Sequence, residues 1–202
     1  MINLNDLIKN FPKWLNPEGK QPWEVTRDLE NVLKKKKASL PSDEYNISDG
    51  LCIHHTAIVE QGATLKGNII ISENCFIGAH AYLRGPIFLG KSVTVGPGCE
   101  LKQSVILDHS TLAHFNYVGN SVVGKNVNFE AGAVCANHYN ERKEKNIFIV
   151  YAGKRVDTQT VKFGSLVGDD VKIGANAVLS PGTILTKKSI VNRLELVDQT
   201  KV

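Results

Sequence analysis

Cysteine is scarce, four in 202 residues, and none stands in a Cys-x-x-Cys pair. A disulfide framework or a metal site would favour closer, paired thiols. Neither charge sign is in large excess: 24 basic against 20 acidic residues leave a net +4, too mild to argue for nucleic acid. No stretch reaches 18 consecutive apolar residues, and the opening "MINLNDLIKNFPKW" lacks the charged-then-apolar layout of a secretion signal. The chain therefore reads as cytoplasmic, with no membrane segment, and the sequon at Asn46-Ile-Ser48 carries no meaning without a secretory leader. What is present is an ordinary globular balance, 42% apolar and 22% charged, over a length that suits one large domain or a core with a small attachment.

The organising signal is a period of six. Stepping from Ile53 gives Val59, Leu65, Ile71, Ile77, Leu83, Leu89, Val95, Leu101, Leu107 and Ala113, all apolar. A helix repeats at three and four and a lone strand at two, so neither explains the run. A second, smaller inward class follows four residues after each corner: Ala57, Ala63, Ile69, Cys75, Ala81, Ile87, Val93, Cys99, Val105 and Thr111. The pattern predicts a solenoid of short strands and tight corners, three six-residue sides to a coil, with residues 18 apart stacked at ~4.8 Å. The step shortens to Val118 and Val123, recovers at Phe129 and Cys135, and breaks over the polar 136–160 segment before resuming at Val161, Val167, Ile173, Leu179, Leu185 and Val191. Three cysteines thus fall on buried wall or corner positions, where cysteine acts as a small hydrophobe.

The first fifty residues lack the period. "PWEVTRDLENVLKKKK" opens on a first-turn proline, carries a stripe of Trp23, Leu29, Val32 and Leu33, and ends on four lysines at the negative end of the dipole. The expected organisation is a helical cap over the open end of the prism (1–50), the solenoid (51–191, loop excursion 136–160) and a tail (192–202).

Polar residues interrupt the filler at related places. Arg84 and Lys102 are 18 apart, each just after a corner of one edge, and such stacked cations without an interleaved acid invite a bound anion. Tyr117 precedes the next corner on that edge and Asn137 follows the one above. His114 starts the side that ends at Tyr117, and Asn128 lies one coil above it. Either one wall holds a sugar phosphate along its length, or the edges of neighbouring subunits bring the groups together. His109 and His114 form a His-x4-His pair, but positions 73 and 78, two coils away, hold Glu and Gly, so no metal site is expected.

The hexad run resembles the left-handed β-helix, or hexapeptide-repeat, acyltransferases. "CELKQSVILDHSTLAHFNYVGNSVVGKNVNFEAGAVCANH" is similar to the acetyltransferase half of the bifunctional enzyme that makes UDP-N-acetylglucosamine. "GKRVDTQTVKFGSLVGDDVKIGANAVLSPGTIL" resembles the corresponding half of archaeal-type sugar-1-phosphate nucleotidylyltransferase/acetyltransferases. The resemblance implies an all-β, left-handed triangular prism and a homotrimer with acetyl-CoA in the cleft between subunits. It implies His114 as general base on the amine of a glucosamine-1-phosphate-like acceptor, bound by Arg84, Lys102, Tyr117, Asn128 and, from the excursion, Lys143. Asn137 is the candidate oxyanion donor, and no metal is required. The segment before the period holds no Gly-rich nucleotide loop, so the expectation is a prism acting without an attached nucleotidyltransferase. The rival expectations are a non-catalytic solenoid that trimerises or regulates a nucleotidyltransferase, and a transferase of the same fold using acyl carrier protein.

Overall fold

The computed structural model describes residues 1–200. Short parallel strands stack in three walls, each coil visiting walls 1, 2 and 3 in turn. Wall 1 begins with Leu51–His54 and continues through Ile69–Ile71, the ends of Tyr82–Leu89 and Glu100–Ile106, Val122–Val123, Ser165–Val167 and Thr183–Leu185. Wall 2 is a separate seven-stranded sheet from Ile58–Val59 to Ile190–Val191. Wall 3 runs from Thr64–Lys66 through the starts of the two long strands and Tyr117–Gly119 to Leu196–Val197. The interior is one apolar column in which corner residues such as Leu83, Val95, Leu101, Phe129 and Leu179 are fully buried, with Cys75, Cys99 and Cys135 among them. Burial pushes the Cys135 thiol up to about 12, which makes it inert.

The register departs from a strict six. Leu83 stacks on Leu101 at an interval of 18, but Leu89 stacks on Ile106 and Val95 on Leu112, each at 17. Ile106 and Leu112, not Leu107 and Ala113, therefore occupy the corners. The lost residue falls at the corner from wall 3 to wall 1, and the same corner shortens again between Val118 and Val123. Ser104 and Ser121 point inward there, and their hydroxyls donate to Lys102 O at 2.8 Å and Gly119 O at 2.9 Å, so each tight turn satisfies its own carbonyl. Val105, expected inside, faces outward instead, and so does Thr111. The excursion is longer than expected: Val161 is exposed, and coiling resumes at Ser165–Val167. Coiling also persists beyond Val191, since Leu196–Val197 pairs with Val178–Leu179.

The N-terminal segment does not lie over the prism end. It lies along wall 1. The outward residues of that wall are Cys52, Ile70, Phe88, Val105, Val122, Leu166 and Ile184, all apolar and all buried. Left bare, that column would cost about 1.5–3 kcal/mol per large side chain. Helix α1 (Leu4–Leu7) and helix α2 (Pro22–Lys37) cover it, with Leu7, Trp23, Val25, Leu29 and Leu33 facing inward. The excursion folds back beside them as an antiparallel hairpin, Phe148–Tyr151 with Lys154–Asp157. Only Tyr45–Ser48 acts at the prism's start, pairing antiparallel with Leu51–His54 and covering that strand edge.

Candidate active site

The shortened corner from wall 3 to wall 1 carries the cations. Lys66, Arg84 and Lys102 stand in register on successive coils, a column one residue longer than the 18-residue spacing had shown. The acid thought missing is present: Arg84 Nη2 donates to Glu100 on the outward face of wall 3. Arg84 Nε, by contrast, is buried with no partner among the described residues. Lys102 is held below the ordinary lysine value, chiefly by burial, then by the nearby charges of Lys162 and Arg84, with Glu100 opposing. Lys162 comes from the far end of the excursion. Its charge acts on Lys102 and that of Lys143 is not among those that do, although both lysines are exposed.

Gly119 continues the column of Arg84 and Lys102, and its missing side chain matters. A Cβ there would lie 2.6 Å from Tyr117 Oη and 2.8 Å from Asn137 Nδ2, so the glycine lets those two groups converge. Asn137 is almost fully buried and donates through Nδ2 to Asn120 Oδ1 at 2.6 Å, while its side-chain Oδ1 lies 3.2 Å from His138 Nδ1. Asn120 takes a left-handed backbone, φ 48°, at the second tight corner. The Tyr117 hydroxyl is shifted up by burial and by Glu100, with Arg84 and Asn137 partly offsetting.

His114 lies at the other end of wall 3, just after the corner from wall 2. Its imidazole is exposed, edge-on to the Phe115 ring at 5.7 Å. Phe115 has φ 55°, and its ring folds over Gly98, where a Cβ would come within 2.7 Å of it. Asn128 points outward from wall 2, beside Thr111 and Lys172, on the far side of that corner. His109 sits on yet another corner, between walls 1 and 2. One protomer therefore gathers Arg84, Lys102, Tyr117 and Asn137 on one edge, and keeps His114 and Asn128 at a different one.

Comparison with known proteins gives the family of the chain. The family model described as GMPPB C-terminal domain matches residues 85–202, more than half of the chain. The chain belongs to that family. Among curated relatives, it is 30% identical over 166 residues to the "Bifunctional sugar-1-phosphate nucleotidylyltransferase/acetyltransferase" of Sulfurisphaera tokodaii, covering 80% of this chain and 41% of that one. It is 31% identical over 185 residues to the "Bifunctional protein GlmU" of Methanococcus vannielii, covering 89% and 43%. The chain thus spans less than half the length of these relatives. A hexapeptide transferase family protein of Anaplasma phagocytophilum overlays at TM-score 0.42 with 14% identity, over 69% of this chain and 72% of that one, too loosely to argue from.

Within the GMPPB C-terminal domain match fall Lys102, His114, Tyr117, Asn128, Asn137, Lys143 and Lys162, while Arg84 stands directly before it and Lys66 a coil earlier. Three residues in or beside the cation column are not singled out by the sequence pattern. Lys66 was discoverable from the same spacing of 18. Glu100 needed the outward face of wall 3 to be assigned. Lys162 depends on how the excursion returns, which periodicity does not encode.

Proposed function

We propose that this chain is an acetyl-CoA-dependent N-acetyltransferase acting on an amino-sugar phosphate, a cytoplasmic homotrimer that needs no metal. The observation that carries the anion half of this reading is the unpartnered, buried Nε of Arg84 in the column of a desolvated Lys102, with the exposed Lys162 near enough for its charge to act on Lys102. A buried N–H donor without an acceptor is costly, and a phosphate oxygen is the acceptor that three converging cations select. Tyr117 on the same edge, and Asn128 brought in beside His114 from the facing edge of a neighbouring subunit, are assigned to the sugar's hydroxyls. The acetyltransferase activity named for the Sulfurisphaera tokodaii relative supports the chemical class.

His114 is assigned as general base. An exposed imidazole has a ring nitrogen open to solvent that can accept a proton from the acceptor's amine. The amine nitrogen attacks the thioester carbonyl of acetyl-CoA and forms the C–N bond. The resulting oxyanion takes a hydrogen bond from the Asn137 amide. Collapse breaks the C–S bond, and the imidazolium returns its proton to the departing thiolate, leaving an N-acetyl product and free coenzyme A. Because His114 and the cations lie on different edges of one protomer, the reading requires that an edge of one subunit meet that of its neighbour, with the donor between them.

The test is thiol release from acetyl-CoA in the presence of amino sugars and their 1-phosphates. His114→Ala should lower turnover by a factor of about 10²–10⁴. Equal rates for wild type and variant would remove the base. No thiol release with any acceptor would favour a non-catalytic solenoid.

A further inference from the structure

Helix α2 lies outside the repeating coil, yet its grips fall on residues beside the cations. Gln103 follows Lys102 directly, has φ 48° in the first tight corner, and donates through Nε2 to the carbonyl of Thr26 at 3.0 Å. Two coils below, Asn68 donates through Nδ2 to Glu30 O at 3.1 Å, so a second carbonyl of the same helix holds the same edge. Phe163 follows Lys162 directly and is fully buried, its ring edge-on to Trp23 at 5.9 Å. The Phe163 amide donates to Asn137 O at 3.1 Å, which closes the two stems of the excursion on each other. The corner bearing Lys102 and the stem bearing Lys162 are thus both docked on one face of α2, four turns of helix that begin at Pro22.

We propose that α2 is a positioning element of the anion site: through Thr26 and Trp23 it fixes Gln103 and Phe163, and so holds Lys102 and Lys162 toward a single phosphate. This rests on the anion-site reading above. Two like charges repel and drift apart unless their backbones are fixed, and a preformed cation pair binds an anion without first bearing the cost of ordering. The coil sets the height of Lys102 on its wall and takes up the returning stem from Gly164 onward, where the Gly164 amide donates to Asn120 O at 3.0 Å, but Phe163, next to Lys162, packs outside it. That stem is tied to Asn137 and to Trp23. A helix that only shielded wall 1 from water would affect folding stability and leave phosphate affinity alone.

The experiment titrates inorganic phosphate into the full chain by calorimetry and records the thermal midpoint of each variant. Gln103→Leu removes the hydrogen bond to Thr26, Trp23→Ala removes the ring under Phe163, and Trp23→Phe keeps an aromatic there. Gln103→Leu and Trp23→Ala are expected to weaken phosphate binding roughly tenfold, with Trp23→Phe within about twofold of wild type. Folded Gln103→Leu and Trp23→Ala proteins that bind phosphate as wild type does would overturn the role of α2. If Trp23→Ala fails to fold, Gln103→Leu decides alone. Lys102→Ala separates the two readings: if it abolishes binding while the α2 variants do not weaken it, only the positioning role falls. Should Lys102→Ala leave affinity unchanged, or wild type fail to bind phosphate, both fall together.

Discussion

Walls 1 and 2 share one interior and differ in what they turn outward. Wall 1 shows Cys52, Ile70, Phe88, Val105, Val122, Leu166 and Ile184, and all are buried beneath the N-terminal helices and the excursion. Wall 2 shows Ile58, Phe76, Thr94, Thr111, Asn128, Lys172 and Ile190, and none of these is buried. The parallel ladder is the same in both, so strand pairing does not choose which wall receives a cover. The outward column does. The largest expected effect tests this contrast directly. Val105→Asp places an unpaired carboxylate under α2 and should cost about 3–5 kcal/mol of stability, whereas Lys172→Ala on the bare wall should stay within about 0.5 kcal/mol. Urea titrations of the two variants would show it. Similar midpoints would mean that the cover is loosely held.

That column is legible in the sequence only when the register is right, and a constant step of six gives the wrong register after Leu101. Leu107 and Ala113 are apolar, so a step of six ran on past the point where the chain had dropped a residue. The signal that could have caught the slip was the small polar series Ser104, Ser110, Asn116 and Ser121, which is inward and hydrogen-bonded to carbonyls of the stack. Moving the inward class back by one residue turns Val105 outward into line with Ile70 and Phe88, and exposes the need for a cover. The spacing of Arg84 and Lys102 survived because both precede the first short corner. Lys162 was out of reach for a different reason, since its position follows from Phe163 docking on Trp23, a contact between residues 140 apart in the chain.

The same contrast holds between edges. The corner from wall 3 to wall 1 is the one that loses residues, and it bears the cations and their desolvation. The sign of its pH dependence follows from Lys102. Burial and neighbouring positive charge lower its value from the ordinary 10.5, and a bound anion needs the ammonium form. Phosphate binding should therefore be full below that lowered value and be lost as pH rises through it, at a lower pH than an unperturbed lysine would give. Calorimetric phosphate titrations from pH 7 to 10 would follow the loss. A flat profile over that range would show that Lys102 carries none of the affinity.

The corner from wall 2 to wall 3 is regular by comparison, and its left-handed positions are filled by Gly62, His80, Gly98, Phe115, Gly132, Asn176 and Leu194. A bulky aromatic at φ 55° is costly, because Cβ crowds the following carbonyl by about 1–2 kcal/mol. Phe115 recovers little of that by burial, since it is 70% exposed. Asparagine adopts this backbone readily, as Asn176 does in the same column, and loses less unfolded-state entropy than glycine would. Phe115→Asn should therefore raise stability by about 1 kcal/mol, a rise of roughly 2–4 °C in the thermal midpoint for a chain of this size. A fall in the midpoint would mean that the ring is covered in the assembled protein. A rise accompanied by weaker turnover would mean that the residue beside His114 is kept for the ligand at the expense of the fold.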